Sequence, residues 1–121
     1  MMPFDVRTKI TAIVDAISTG QFALALDAAD SSRLSEDDLR HPRQARYLDA
    51  GRVVTGYGRT LVPPVTHDWD VVPIAASATP AWSVRAPLWS EQEGRSDLEL
   101  VLSASLVEGT ANVVLDDLLV A

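Results

Sequence analysis

Residues 82–120, WSVRAPLWSEQEGRSDLELVLSASLVEGTANVVLDDLLV, carry the pattern of three consecutive antiparallel strands joined by polar turns. Apolar and polar side chains alternate over 81–88 and again over 97–106, which is the period of a strand with one buried face. Glu108 and Gly109 predict a hairpin turn before the last strand, 111–120. The predicted inward face carries Trp82, Val84, Ala86, Leu88, Leu98, Leu100, Leu102, Ala104 and Leu106. Because this face is apolar, other parts of the chain must cover it.

A weaker fourth strand is expected over 69–76, before the three strong ones. Pro73 cannot donate a hydrogen bond to a sheet ladder, so it favours an edge position for this strand. The pair Pro63 and Pro64 ends the preceding structure, and 62–68 is therefore expected to be a loop.

The first half of the chain predicts helices that could cover the sheet. Apolar residues recur at helical spacing near the N-terminus, at Val6, Ile10, Ile13, Val14 and Ile17. Asp5 is the expected N-cap of this helix, and Gly20 is the expected stop. A second, shorter helix follows, with Phe22, Ala25, Leu26 and Ala29 on one side.

A third helical stretch is expected from Ser35, which forms a capping-box pattern with Asp38. Pro42 interrupts it, after which 43–57 is expected to resume as helix. The predicted fold is α+β, with N-terminal helices packed on one face of a curved antiparallel sheet of about four strands. We expect one domain over 1–121, mainly helical over 1–61 and an antiparallel sheet over 69–120.

The composition excludes several classes of site. The 121 residues include no Cys, which rules out disulfides, thiolate zinc sites and thiol catalysis. No phosphate loop, cofactor fingerprint or catalytic triad is present, so we expect neither a cofactor nor an enzyme. The start of the chain lacks a signal-peptide pattern, and no apolar run is long enough to span a bilayer. A cytoplasmic protein is expected.

Charge is distributed unevenly along the chain. The formal net charge is −7, and all of it arises from residues 60–121, where Arg85 and Arg95 are the basic side chains against nine acidic ones. Such a surface disfavours nucleic acid, whose phosphates need Lys and Arg. It would attract a basic protein, although acidity also serves solubility alone.

The predicted loop at 89–97, between the first and second of the three strong strands, is the best candidate for a binding site. An aromatic residue, several carboxylates and an arginine lie close together there, and the candidates are Trp89, Glu91, Glu93, Arg95, Asp97 and Glu99. Trp and Arg dominate interface hot spots, and surrounding charges steer encounters. The alternative is a structural hairpin in which Gly94 takes a positive φ and Trp89 folds back over the sheet.

Two other clusters carry weaker functional hypotheses. His67, Asp68 and Asp70 could bind a metal only with ligands from elsewhere, so we expect no metal site. Asp116 and Asp117 are adjacent on a strand and should point to opposite faces, one of them paired with Arg85 or Arg95. The candidates for a pocket between sheet and helices are Tyr47, Tyr57, Asp116 and Asp117.

Three segments resemble a family of small uncharacterised bacterial proteins. They are YGRTLVPP at 57–64, PLWSEQEGRSDLEL at 87–100 and LDDLLV at 115–120, which resemble PLWT-x-EEGRSDLTLEL and a closing DDLHVL over roughly 34–120 of this chain. This chain departs from that pattern at Gln92 and Leu119. The resemblance implies no established activity. The order of elements also resembles the cone-shaped nuclear-transport-factor-like and cystatin-like folds.

Two function classes remain open. The first is a non-enzymatic protein-binding module with an acidic sheet face, of which an immunity protein neutralising a basic toxin is the most concrete example. The second is a small-molecule-binding or weakly catalytic domain that uses a pocket between sheet and helices. No nucleic acid or membrane partner is expected, and the chain could be a monomer or a homodimer.

Overall fold

The computed structural model describes residues 2–40, 46–48, 52–54 and 60–120, with side chains over 2–39 and 60–119. Helices lead and strands follow, with one short strand between the helices. In chain order the elements are α1 (Phe4–Ser18), α2 (Phe22–Ala28), β1 (Ser31–Ser32), α3 (Glu36–Arg40), β2 (Arg46–Leu48), β3 (Arg52–Val54), β4 (Thr60–Val62), β5 (Asp70–Pro73), β6 (Ala81–Ser90), β7 (Gly94–Val107) and β8 (Thr110–Val120). The α+β class is confirmed.

The sheet is larger than expected and is mixed rather than antiparallel. Its strand order is β1-β8-β7-β6-β4-β3-β2, and β5 also pairs with β6. Among the described strands, β1 alone runs parallel to its neighbour, with Ser31 and Ser32 paired to Val114 and Leu115 of β8. The four predicted strands are all present, but the prediction of about four antiparallel strands is wrong. The additional strands have two or three residues each, too few to produce a period in the sequence.

The predicted helix over 43–57 is also wrong where the structure describes it. Strands β2 and β3 lie there as an antiparallel pair, with Tyr47 opposite Val53. β3 in turn pairs with β4 through Val53 and Leu61. The β-branched pair Val53–Val54 suits a strand, and its apolar spacing alone did not distinguish strand from helix. His41 and Pro42 lie outside the described residues.

The core lies between α1 and the inner face of β6–β8. The predicted inward residues of these strands are buried, with only Leu106 partly exposed. Facing them from α1 are five buried side chains, Val6, Ile10, Ile13, Val14 and Ile17, as the helical spacing predicts. The helix begins two residues earlier than expected, at Phe4, and Pro3 stands at its N-cap without a side-chain hydrogen bond. Asp5 therefore lies in the first turn and is not the cap.

Local signals in the helices and turns are confirmed. Gly20 has φ 79°, Gly94 has φ 73°, and the β7–β8 turn has positive φ at both Glu108 (52°) and Gly109 (79°). The capping box is reciprocal: Ser35 N–H donates to Asp38 Oδ2 at 2.8 Å, and Asp38 N–H donates to Ser35 Oγ at 3.1 Å. These hydrogen bonds from Ser35 hold the pKa of the Asp38 carboxyl below its usual value.

An ion pair between residues that are distant in sequence connects α1 to the edge of β8. Lys9 Nζ donates to both carboxylate oxygens of Asp30, at 3.0 and 2.8 Å, and to the carbonyl oxygen of Ala111 at 3.1 Å. Asp30 Oδ2 also accepts from Val113 N–H at 2.7 Å. Partial burial of Asp30 acts to raise its pKa, but the donors Lys9 and Val113 outweigh it, so the pKa is lowered.

Candidate functional site

The β6–β7 turn, Glu91–Glu93, is held by hydrogen bonds to its own strand and to β4. Glu93 N–H donates to Ser90 Oγ at 3.2 Å, and Ser90 Oγ donates to Glu93 Oε1 at 3.3 Å. Glu91 N–H donates to the carbonyl oxygen of Thr60 at 2.9 Å, and Thr60 N–H donates to Gln92 Oε1 at 3.0 Å. The turn is thus fixed on two sides, and Gln92 acts as a structural link.

Trp89 lies against the turn. It is paired with Arg95 across the two strands, and its side chain is half-buried. A Cβ placed on Gly94 would lie 3.7 Å from Cζ3 of the Trp89 ring, which is ordinary contact. The ring therefore lies over Gly94, which has the positive φ that the structural interpretation of this hairpin expects.

A bulge in β7 re-aligns the strand beyond the turn. Pro87 is paired with Glu99 and Trp89 with Arg95, so β7 has two more residues than β6 between these pairs. Ser96 stabilises the bulge, because its Oγ donates to the Leu88 carbonyl oxygen at 2.8 Å and accepts from Leu98 N–H at 3.1 Å. Ser96 and Leu98 are buried and Asp97 is exposed.

The outer face of the sheet, opposite α1, contains a concavity of about 460 Å³, which we call the outer concavity. Its lining residues are Asp68, Trp69, Asp70, Arg85, Pro87, Arg95 and Glu99. Asp70 lies opposite Arg85 on neighbouring strands, and Glu99 lies opposite Pro87. The two arginines of residues 60–121 thus line one concave surface together with three carboxylates.

The gap between β5 and β4 produces this concavity. Both strands pair with the same edge of β6, β5 with residues 82–85 and β4 with residues 89–90. Pro87, which has no N–H to donate, lies in the interval between them. Sheet pairing is therefore interrupted on that edge, and the segment 63–69 borders the opening.

The segment 63–69 is anchored on α1. His67 Nε2 lies 3.4 Å from Asp15 Oδ1, and the Arg7 guanidinium carbon lies 4.9 Å from the centroid of the Trp69 ring. His67 and Trp69 are themselves in edge contact, with ring centroids 5.8 Å apart. His67, Asp68 and Asp70 do not form a metal cluster, and no other group of three His, Cys, Asp or Glu side chains does so within the described residues.

Asp116 and Asp117 do not lie on opposite faces. Val101 pairs with Asp117 and Leu102 with Leu115, so Asp116 is the extra residue of a bulge in β8. Asp117 shares the outer face with Val101, while Asp116 accepts a short hydrogen bond from Ser103 Oγ on that same face. The prediction of opposite faces is wrong, because a bulge breaks the period of two on which it rested.

The expected partner of these carboxylates is also wrong. Asp116 Oδ1 lies 3.7 Å from Nε of Arg33, rather than near Arg85 or Arg95. Asp117 Oδ1 accepts from Leu118 N–H at 2.8 Å. Neither carboxylate therefore faces the space between the sheet and α1.

The other pocket candidates give no further support to an interior site. Tyr57 lies outside the described residues, and so does the side chain of Tyr47, whose backbone is in β2. Where side chains are described, the facing residues of α1 and β6–β8 are mainly apolar, and residues such as Ile13, Leu100 and Leu115 are 0% exposed. The hydroxyls of the buried Ser18, Ser90 and Ser96 donate hydrogen bonds within their own helix or hairpin. No buried side-chain nitrogen or oxygen in this part of the chain lacks a hydrogen-bond partner.

Comparison with known protein families identifies the family of the chain. Residues 14–121 match the sequence profile of a domain of unknown function, DUF7668. The chain belongs to the DUF7668 family. No curated protein matches the DUF7668 chain. No solved structure matches it either. Among the described helices of the DUF7668 chain, none is long and apolar enough to cross a membrane.

The hairpin predicted at 89–97 is present, but its turn is shorter than expected, because β6 extends to Ser90 and β7 begins at Gly94. Arg95 and Glu99, which line the outer concavity, were candidate binding residues. Asp68 and Asp70 were considered only as metal ligands, and the sequence pattern did not predict that the segment 63–73 reaches the same surface. Pro87 was the available signal, since a proline within a strong strand marks a place where pairing stops on one side.

Proposed function

We propose that this DUF7668 chain is a non-enzymatic protein-binding module whose partner is a basic protein docking on the outer face of its sheet at the β6–β7 turn. The observation that supports this most is the placement of Asp97 and Glu99 on β7 and Asp70 on β5, which share the outer face. Carboxylates on an open sheet surface attract and orient a cationic partner.

Trp89 is the proposed aromatic anchor of this interface. Its ring lies over Gly94 and is only half-buried, so part of it remains accessible to a partner. A fixed aromatic side chain loses little conformational entropy on binding, which is why such residues are frequent hot spots. Arg95, directly opposite on β7, adds a second side chain of the type that dominates interfaces.

Among the carboxylates at the turn, Glu93 has a structural role and is therefore unsuitable for a charge-reversal test of binding. It exchanges hydrogen bonds with Ser90, and changing it would disturb the turn itself. Asp97 is exposed, and Glu99 lies partly exposed on the outer face. Neither makes an ion pair with another described side chain, so both are suited to charge reversal.

The narrower form of the proposal is an immunity-type protein that neutralises a basic toxin. Small size and an acidic outer face support it, and both also suit a general interaction module. The likeness to cone-shaped nuclear-transport-factor-like and cystatin-like folds is likewise a proposal, and it bears on architecture rather than on activity.

A small-molecule site between sheet and helices is the alternative proposal, and it has less support. The described side chains there are apolar and closely packed, and Asp116 and Asp117 lie on the other face. A ligand site in that space would need polar groups directed inward, which the described part of the core does not provide.

The test is capture of partners from the source cell's lysate with wild type and two charge-reversed variants. Asp97→Lys/Glu99→Lys reverses two charges on the outer face, and the matched control Asp5→Lys/Asp27→Lys reverses two exposed charges on α1 and α2. We expect a basic protein to be retained by wild type and by the control, to be lost from the outer-face variant, and to elute as salt rises.

Two results would contradict this proposal. Equal loss in both variants would show that net charge alone governs retention. Retention of the same protein by the outer-face variant would place the interface elsewhere on the molecule. Thermal unfolding of each variant, followed by circular dichroism, verifies that loss of capture does not reflect loss of folding.

A further inference from the structure

The outer concavity holds two arginines that have no ionic partner in the described structure. Arg85 lies directly opposite Asp70, and both line the concavity. Even so, over the residues whose side chains are described, neither Arg85 nor Arg95 forms an ion pair or a side-chain hydrogen bond. Both guanidinium groups are therefore able to donate to an incoming acceptor.

We propose that the outer concavity is a binding site for a small ligand carrying an α-carboxylate together with basic groups, the chemistry of free arginine or of a C-terminal arginine residue. Arg85 and Arg95 would hold the carboxylate, and Asp68, Asp70 and Glu99 would receive the cationic groups. This site does not depend on the protein partner proposed above, although Glu99 and Arg95 would be shared by the two ligands.

The balance of charge selects this ligand class. Two guanidinium groups and three carboxylates line the same surface. A simple anion such as phosphate would be repelled by the three carboxylates, and a simple cation would be repelled by the two arginines. A ligand with one carboxylate and a guanidinium group, with or without a free ammonium group, complements both sets. The volume, about 460 Å³, lies within the range of small-ligand sites.

The walls of the concavity are held in position from the rest of the fold. Trp69 lies between Asp68 and Asp70 in sequence and packs beneath the Arg7 guanidinium of α1, while His67 approaches Asp15. On the opposite side, the β7 bulge at Ser96 sets the register of Arg95 and Glu99. The backbone positions that carry the charged groups are therefore set before a ligand binds.

The test is a titration of ¹⁵N-labelled protein with L-arginine, observed by amide and arginine Nε–Hε resonances. Matched probes remove one ligand group at a time: N-acetyl-L-arginine lacks the ammonium group, L-argininamide lacks the carboxylate, and inorganic phosphate is an anion alone. We expect saturable shifts at 68–70, 85–87, 95 and 99 with L-arginine, and binding about tenfold weaker or worse with L-argininamide.

Variants separate this site from general charge effects. Arg85→Gln is expected to weaken L-arginine binding by about tenfold or more, because one of two charge-assisted contacts is lost. The control Arg33→Gln removes an exposed arginine that does not line the concavity, and binding should be unchanged. Amide spectra that match wild type away from residue 85 show that Arg85→Gln folds.

The source of the ligand follows from one further comparison. Tighter binding of Gly-Gly-Arg than of free L-arginine would assign the site to a peptide end, and the reverse would assign it to the amino acid. The proposal is overturned if phosphate binds as well as L-arginine, if L-argininamide matches L-arginine, or if no probe gives saturable shifts at the concavity. None of these results bears on capture of a basic protein, which is tested separately by the charge-reversed variants.

Discussion

Replacing Asp30 with alanine should lower the free energy of unfolding by about 2–3 kcal/mol. Asp30 is the acceptor that joins Lys9 of α1 to Val113 of β8. Its removal leaves the Val113 N–H without this partner in a buried strand, which costs about 1–3 kcal/mol. The lost ion pair adds less, about 0.5–1 kcal/mol, because both side chains are 35% exposed and solvent screens the attraction.

Urea unfolding of wild type, Asp30→Ala and Asp30→Asn at neutral pH measures these contributions to the free energy of unfolding. Asparagine retains an acceptor oxygen but not the charge, so Asp30→Asn should cost about 1 kcal/mol. Lys9→Met removes the ammonium group and keeps most of the aliphatic stem, so it reports the ion pair together with the hydrogen bond that Lys9 Nζ donates to the Ala111 carbonyl oxygen. A loss of less than about 0.5 kcal/mol in Asp30→Ala would refute the claim that this carboxylate fastens α1 to the sheet.

The pH dependence of the same variants has a definite sign. The pKa of Asp30 is lowered in the folded state, since Lys9 and Val113 outweigh the effect of burial. Wild type therefore carries this stabilisation above the unfolded-state pKa of about 3.9 and loses it as pH falls through the lower folded-state pKa. The stability difference between wild type and Asp30→Asn should shrink over that acidic range. A difference that grows on acidification would contradict the pKa direction.

Four further substitutions test the fold by urea unfolding. Leu100→Ala removes a fully buried side chain on the inner face and should cost about 2–5 kcal/mol, and a cost below 1 kcal/mol would argue against the packed core. Gly94→Ala should cost about 1–2 kcal/mol, because φ is 73° and a Cβ would lie at ordinary contact distance from the Trp89 ring. Gly109→Ala should cost the same, because φ is 79° and no atom lies close to the added Cβ. A much larger loss of stability in Gly94→Ala than in Gly109→Ala would mean that the Trp89 ring is displaced. Ser35→Ala should cost about 0.5–2 kcal/mol, and an unchanged stability would show that the capping box with Asp38 contributes nothing.

The elements that sequence predicted best are those whose signal repeats. Leu98, Leu100 and Leu102 alternate over a long strand, and the stripe Val6, Ile10 and Ile13 repeats along a long helix. In both cases burial on one side imposes the period. Single residues such as Gly20 also predicted the ends of elements correctly, because positive φ is a local steric requirement.

The elements that were missed depend on distant partners. Ser31 and Ser32 form a strand only because β8 offers them an edge, and nothing in two serines predicts it. The bulge at Asp116 changes the face on which Asp117 lies, and periodicity cannot locate a bulge. Lys9 and Asp30 are 21 residues apart, so their pairing follows from tertiary packing.

The candidate site was predicted only in part, because one of its two walls depends on contacts between residues that are distant in the sequence. Trp89 and Arg95 are brought together by a hairpin, a local structure that the sequence indicated. The second wall of the outer concavity, Asp68 and Asp70, arrives from the segment anchored on α1 through His67 and Trp69. That convergence depends on long-range contacts that have no local signature.

We propose that binding occurs on the outer face of the sheet rather than on the helical side. The direct measurement is amide-resolved NMR mapping of the purified complex with the basic protein captured by wild type. We expect perturbed resonances at Trp89, Asp97 and Glu99 and at their outer-face neighbours on β5. Perturbation centred on Phe4 and Thr8 of α1, which line grooves on the opposite side, with the outer face unchanged, would contradict it.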